Sequence, residues 1–280
     1  MKKYLITGAR GQLGSELSNL LHEKGLNFQG YGSTDLNISD RNQVFERVNE
    51  LRPDVIFHCA AYTAVDDAED IGKDANWRIN VDGTKNIVDA SKKYKATLVY
   101  ISTDYVFDGT NKGEYEVDDP TNPKNEYGRA KLAGENEVKT ALDAYYIIRT
   151  SWLFGKYGEN FVYTMLNLAN THKTLKVVND QIGRPTWTRT LAEFMLYLVQ
   201  TSSKFGIYQL SNDNACSWFE FASRILKKSP AKILPITSDE YPQKAYRPRH
   251  SIMSLDKAKH TNFKIPSWQN ALNSFIENIK

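Results

Sequence analysis

Two hundred and eighty residues, 41% apolar and 12% aromatic, suffice for one large α/β domain or two smaller lobes, and exclude a mainly disordered chain. The 36 lysines and arginines against 33 acids leave a formal charge of +3 spread along the sequence, which implies no polyanion-binding face and leaves room for a small anionic ligand. Two cysteines make no disulfide framework, no apolar run approaches the ~18 residues that span a bilayer, and Tyr4-Leu5-Ile6 is too short for a signal-peptide core. The expectation is a soluble cytoplasmic protein with no nucleic-acid or membrane partner.

In chain order, apolar runs and amphipathic stretches alternate. Residues 4–7 read as a buried strand and 12–24 as a helix with Leu13, Leu17, Leu20 and Leu21 on one face. A short strand over 28–31 follows. Asp40 with Gln43 resembles a capping box and opens a helix carrying Val44, Val48 and Leu51. Strands over 54–59, 97–102 and 145–149 are separated by helices over 75–93 and 127–141. Apolar strands that alternate with helices indicate a parallel sheet covered on both faces, a Rossmann-type doubly wound α/β fold.

After Arg149 the rhythm loosens. Helices are expected over 188–200, 217–227 (opened by a Ser217/Glu220 capping pair) and 266–279, and a Pro-rich basic segment covers 242–248. The plan read from this is a dinucleotide-binding domain over 1–150, with 188–215 returning to it. A smaller mixed α/β substrate-binding lobe is built from 151–187 and 216–280.

Gly8, Gly11 and Gly14 lie between the first strand and the first helix. Glycine there permits a tight turn and lets backbone N–H groups approach a diphosphate at the helix N-terminus, with Gln12 and Leu13 in the same loop. Arg10 is the residue available for a 2′-phosphate. The second strand ends in Tyr31-Gly32-Ser33-Thr34, without an acid at its tip, and Asp35 comes late for a ribose hydroxyl. This favours NADPH over NADH, whose acceptance stays open.

Tyr127 and Lys131 stand one helical turn apart. A nearby ammonium lowers a phenol's pKa, so the pair is expected to act as general acid and base. Ser102, Thr103 and Asp104 end a buried strand, where doubly wound sheets bind ligands, and the Thr103 hydroxyl can polarise a carbonyl there. Four arginines of the second half, Arg184, Arg189, Arg247 and Arg249, are available for an anionic ligand. Arg184 and Arg247 are preferred because each adjoins a proline that stiffens its backbone. Trp152 is a candidate binding surface, whereas Trp187 reads equally well as core.

These motifs together resemble the extended short-chain dehydrogenase/reductase superfamily: Gly8/Gly11/Gly14, Asp35-Leu36, Ala60-Ala61, Asn80-Val81-Asp82-Gly83-Thr84, Ser102-Thr103 and Tyr127/Lys131. Within it, the segments 60–66, 102–109, 149–153 and 179–186 and Arg247-Pro248 look like the dTDP-4-dehydrorhamnose reductases. The resemblance implies hydride transfer from NADPH to C4 of a 4-keto-6-deoxy sugar nucleotide, in the last step of a route that feeds bacterial surface polysaccharides. Thr103, Tyr127 and Lys131 would be catalytic. Asp35 and Leu36 would contact the adenine. Ala60, Ala61, Tyr62, Thr63 and Ile101 would run beside the cofactor, Lys131 would also hold the nicotinamide ribose, and Asn80 would support the site. Asp104, Val106, Trp152 and Val65 would lie against the sugar.

Some relatives bridge subunits with magnesium through glutamates. Glu16 matches one such position and Arg189 stands at another, so magnesium and the choice between monomer and homodimer stay open. Dehydratases of this fold carry an Asp-Glu pair after the threonine, whereas Asp104 precedes Tyr105 here, which argues against dehydration. A sugar-nucleotide epimerase, another reductase and a noncatalytic dinucleotide-binding regulatory subunit are the alternatives. The acids of Asp66-Asp-Ala-Glu-Asp70 are expected to favour a helix N-terminus.

Overall fold

Leu13, Leu17, Leu20 and Leu21 recur with helical spacing and all are buried, so α1 (Gln12–Glu23) lies against the sheet begun by β1 (Lys3–Thr7) and β2 (Asn27–Tyr31). In this computed structural model residues 2–278 are described; Met1, Lys280 and the expected helix end at Ile279 lie outside them. The Asp40 carboxylate caps α2 (Arg41–Leu51) by accepting from the amides of Asn42 (2.9 Å) and Gln43 (3.2 Å). β3 (Val55–His58) follows, buried along its length.

The helix expected over 75–93 is interrupted. It consists of α3 (Lys73–Trp77), a π-helical turn over Arg78–Gly83 and α4 (Thr84–Tyr94). The wide turn carries buried Asn80, whose amide accepts from the Tyr62 N–H (3.1 Å) and donates to the Tyr62 carbonyl (3.0 Å) and to Asn76 Oδ1 (2.8 Å). A regular 3.6-residue pattern gives no sign of this bulge.

β4 (Thr97–Thr103), α5 (Glu126–Ala141) and β5 (Tyr145–Thr150) complete the first half. Asn125 caps α5 by accepting from the Gly128 amide at 2.7 Å. The second half runs β6 (Leu153–Phe154), α6 (Phe161–Thr171), β7 (Thr174–Val178), β8 (Ile182–Gly183), β9 (Thr186–Trp187), α7 (Thr188–Gln200) and β10 (Gly206–Gln209). It ends with β11 (Cys216–Ser217), α8 (Trp218–Ile225), β12 (Lys232–Ile236), α9 (Asp256–Lys259) and α10 (Trp268–Asn278). The Ser217/Glu220 capping box at the start of α8 is present in full.

The main sheet has the order β10-β5-β4-β3-β1-β2 with every pair parallel. α1 and α7 cover one face and α2, α4 and α5 the other, each face sealed by its own apolar cluster. A further core of Phe154, Phe221, Leu272 and Phe275 joins α6, α8 and α10 beside the parallel pair β7 and β12. The strand order reverses between β1 and β3, and the crevice outside the carboxyl ends at such a point is where doubly wound sheets take ligands.

Candidate active site

Gly8 has a left-handed φ of +67°, and a Cβ there would lie 2.6 Å from the Ala60 nitrogen; one on Gly14 would lie 2.1 Å from the Gly8 carbonyl oxygen. No side chain caps the N-terminus of α1 at Gly11, so its first-turn N–H groups face the crevice. The Gln12 Oε1 beside them is buried without a partner. This cradle, closed to side chains and rich in unpaired donors, fits a dinucleotide diphosphate. Arg10 lies exposed at the tip of β2, donating to Thr34 Oγ1 (2.8 Å) and paired with Asp35 (3.0 Å). Leu36 is only 3% exposed and packs its side chain into the core with Ile38 and Val44.

Gly11, Gln12, Leu13, Ala60, Ala61, Thr63, Val65 and Ile101 line one cleft of about 840 Å³, together with Thr103, Asp104, Tyr127, Lys131, Trp152 and Arg247. Tyr62 is tied to Asn80 by both main-chain groups and packs its hydroxyl against Gly72. Thr103 Oγ1 donates to Asp104 Oδ1 (3.1 Å) and accepts from the Tyr105 amide (3.2 Å). The other oxygen of Asp104 is buried with no partner, and burial pushes this carboxyl up to about 6.

The expected effect of Lys131 on Tyr127 is not seen. Burial raises the Tyr127 phenol well above its usual value, Asp104 and Tyr105 push the same way, and the Thr103 hydroxyl opposes them. The Lys131 ammonium instead sits 4.1 Å over the Tyr100 ring, and burial brings it down to about 7 against the pull of Glu135. In a dry cleft desolvation outweighs the neighbouring charge, so each group is biased toward its neutral form.

Across the cleft, Trp152 holds a left-handed φ of +49° and stacks on Trp218 at 3.6 Å and 12°, with Phe161 at 4.5 Å behind. Arg247 Nη2 pairs with Asp66 at 2.8 Å, while its Nη1 is buried without a partner. Arg184 is not beside it. That side chain is buried away from the cleft, its two terminal nitrogens held by Glu114 (2.5 Å) and the Met253 carbonyl, while its Nε is buried without a partner. Val106 is also corrected: it is wholly buried with Phe107, Tyr115 and Met253, not turned to a sugar. Trp187 packs at the edge of the α6/α8/α10 core.

The acidic stretch does more than favour a helix N-terminus. Asp66 accepts from the Ala245 amide (3.0 Å), Asp70 pairs with Lys244 (2.5 Å), and Glu69 accepts from the Glu126 amide (2.8 Å). As expected, Asp67 and Glu69 sit in the first turn of a short 3-10 helix over Asp67–Glu69, and Glu69 also reaches the N-terminus of α5, whereas Asp66 and Asp70 fasten the Pro-rich basic segment. On the far side of α1, Arg189 lies among Glu16 (3.6 Å), Glu23 (2.6 Å) and Glu193 (2.8 Å).

Several residues in or behind the cleft are not among the candidate site residues. Buried His58 bonds Thr7 Oγ1 (2.7 Å) and Thr84 Oγ1 (3.2 Å), and burial drops it to about 3, so it is neutral. Ser102 donates to Glu135 (2.6 Å), which Arg149 grips with both Nε (2.9 Å) and Nη2 (2.8 Å). Tyr127, Lys131 and Glu135 repeat every fourth residue, a stripe that could have pointed to Glu135. Trp218 enters only through tertiary contact.

The RmlD substrate binding domain family matches residues 1–280. The chain belongs to that family. It is 39% identical to the spore coat polysaccharide biosynthesis protein SpsK of Bacillus subtilis, covering 99% of this chain and 98% of that one. It is 37% identical to a dTDP-4-dehydrorhamnose reductase of Aggregatibacter actinomycetemcomitans, over 97% of each. Among solved structures, dTDP-4-dehydrorhamnose reductase from Bacillus anthracis in complex with NADP superposes with a TM-score of 0.95 at 41% identity, covering 99% of both chains.

Proposed function

We propose that this chain reduces the C4 keto group of dTDP-4-dehydro-6-deoxy-L-mannose (dTDP-4-dehydrorhamnose) to dTDP-L-rhamnose with NADPH. The carrying observation is that one cleft joins the glycine cradle, the Thr103/Tyr127/Lys131 set and an aromatic wall ending at an arginine with an unpaired N–H. When bound, NADPH supplies the hydride that goes to the carbonyl carbon. Thr103, whose hydroxyl proton turns from Asp104 Oδ1 to the substrate, donates a hydrogen bond to the carbonyl oxygen, and Tyr127 gives that oxygen its proton as the carbonyl π pair moves onto it. Lys131 holds the nicotinamide ribose, and its charge, strengthened by the nearby phosphates, then favours the phenolate that proton transfer leaves.

Gly8, Gly11, Gly14, Gln12 and Leu13 take the diphosphate of the dinucleotide, Ala60, Ala61, Tyr62, Thr63 and Ile101 flank it, and Arg10 with Asp35 meets the adenosine end. Asp104, Val65 and Trp152 hold the sugar and Arg247 its diphosphate. Residues 1–150 with 188–215 thus bind the dinucleotide, and 151–187 with 216–280 supply Trp152 and Arg247 to a sugar-nucleotide site whose other side, Val65, Thr103, Asp104 and Tyr127, belongs to the first unit. Both ligands belong to the cytoplasm. A guanidinium already stands among Glu16, Glu23 and Glu193, which supports a reaction without magnesium; full activity after exhaustive EDTA treatment is the expected result.

The test is NADPH absorbance at 340 nm on addition of the keto sugar nucleotide, with the deoxysugar identified by NMR. Oxidation with rhamnose as product is expected. Tight NADPH binding without oxidation at any substrate concentration overturns the reading in favour of a noncatalytic subunit. Arg10→Ala is expected to raise KM for NADPH about tenfold and leave that for NADH unchanged.

A further inference from the structure

Tyr105 stands on the short turn after β4, its amide held by Thr103 Oγ1 at 3.2 Å. Its ring lies between two groups to which the proposed reaction gives separate tasks. The Arg247 guanidinium carbon is 5.7 Å from the Tyr105 ring centroid, and the Tyr127 ring meets Tyr105 edge-on at 6.0 Å and 87°. The Tyr105 carbonyl also fills the space beside Gly128, where a Cβ would lie only 2.3 Å from its oxygen, so the first turn of α5, which carries Tyr127, is docked on Tyr105.

Arg247 is half committed. One prong of its fork is anchored on Asp66 at 2.8 Å, while Nη1 is buried in the cleft with no acceptor. A buried charged donor without a partner is costly, and an anionic ligand relieves that cost. Beside this guanidinium, burial holds the Tyr105 hydroxyl in its protonated, donating form. A hexose whose C4 faces Tyr127 and whose C1 phosphate faces Arg247 has to pass along Tyr105.

We propose that Tyr105 is a substrate-positioning residue: with Arg247 it binds the phosphate nearest the sugar, and its ring fixes the edge against which Tyr127 rests. This rests on the reading that a sugar nucleotide enters the cleft. It explains what the aromatic residue after Asp104 does where a dehydratase would carry a second acid. Recognition of the phosphate is thereby linked to alignment of the proton donor, so that substrate binding orders the reacting phenol.

Two variants separate the roles. Tyr105→Phe keeps the ring and loses the hydroxyl; it is expected to raise KM for the keto sugar nucleotide about tenfold with kcat within about twofold. Tyr105→Leu also removes the edge contact and is expected to lower kcat at least tenfold. Both should keep the wild-type melting temperature and NADPH dissociation constant. Calorimetry with dTDP and thymidine reads the phosphate contact alone: Tyr105→Phe should weaken dTDP about tenfold and leave thymidine unchanged. Unaltered dTDP binding, or equal loss for dTDP and thymidine, overturns the proposal. Failure of the wild type to oxidise NADPH would instead overturn the assigned reaction, while the dTDP comparison would still decide the subsite.

Discussion

At the scale of single residues, burial governs the chemistry of the cleft. Tyr127 and Lys131 share a helix face, yet desolvation raises the phenol and brings the ammonium down to about 7. Tyr127→Phe removes only the transferable proton, so it should bind NADPH as the wild type does and lose at least about a hundredfold in kcat, measured under saturating substrate. Lys131→Met should abolish most turnover but stabilise the fold. A lysine whose folded pKa lies below its unfolded ~10.4 costs stability fully below about pH 7, and that cost fades as pH rises toward ~10. The melting-temperature gain of Lys131→Met should therefore be largest below about pH 7 and vanish above about pH 10.4.

At the scale of elements, capping and periodicity set most of the boundaries. Asp40, Asn125 and Ser217 each bond first-turn amides of the helix they open, and α7 spans the residues its periodicity predicts. The π-helical turn over Arg78–Gly83 escapes such reasoning, because what selects it is the bond between Asn80 and the main chain of Tyr62, 18 residues earlier. Asn80→Ala would leave both Tyr62 groups without that partner. A loss of about 1–3 kcal/mol in chemical denaturation is expected, together with weaker NADPH binding by fluorescence titration, because the segment after β3 would no longer be held beside the cofactor.

At the scale of the whole molecule, ion pairs fasten the second half of the chain to the first. Arg184 joins Glu114 and the Met253 carbonyl, and Arg247 and Lys244 reach Asp66 and Asp70. Arg184→Ala should cost about 1–3 kcal/mol in denaturant unfolding, since a buried carbonyl loses its donor, and should change KM for the sugar nucleotide less than Arg247→Ala does. A result in the opposite order would return Arg184 to the substrate site. Glu16, Glu23 and Glu193 likewise converge on Arg189, linking α1 to α7 across one face of the sheet.

The amino-acid sequence by itself determined the parallel α/β architecture, the glycine turn before α1, the Tyr127/Lys131 spacing and the small polar residues at the end of β4. Each of these is local: a helical turn, a strand end or a cap is specified by residues within a few positions of one another. Side-chain partners across the fold were decided only by tertiary structure. Whether an arginine faces ligand or Glu114, whether a valine faces sugar or Phe107, and whether an ammonium tunes a phenol or rests on Tyr100 depend on burial and on groups tens of residues away. Desolvation, which fixes those choices, exists only once the chain has packed.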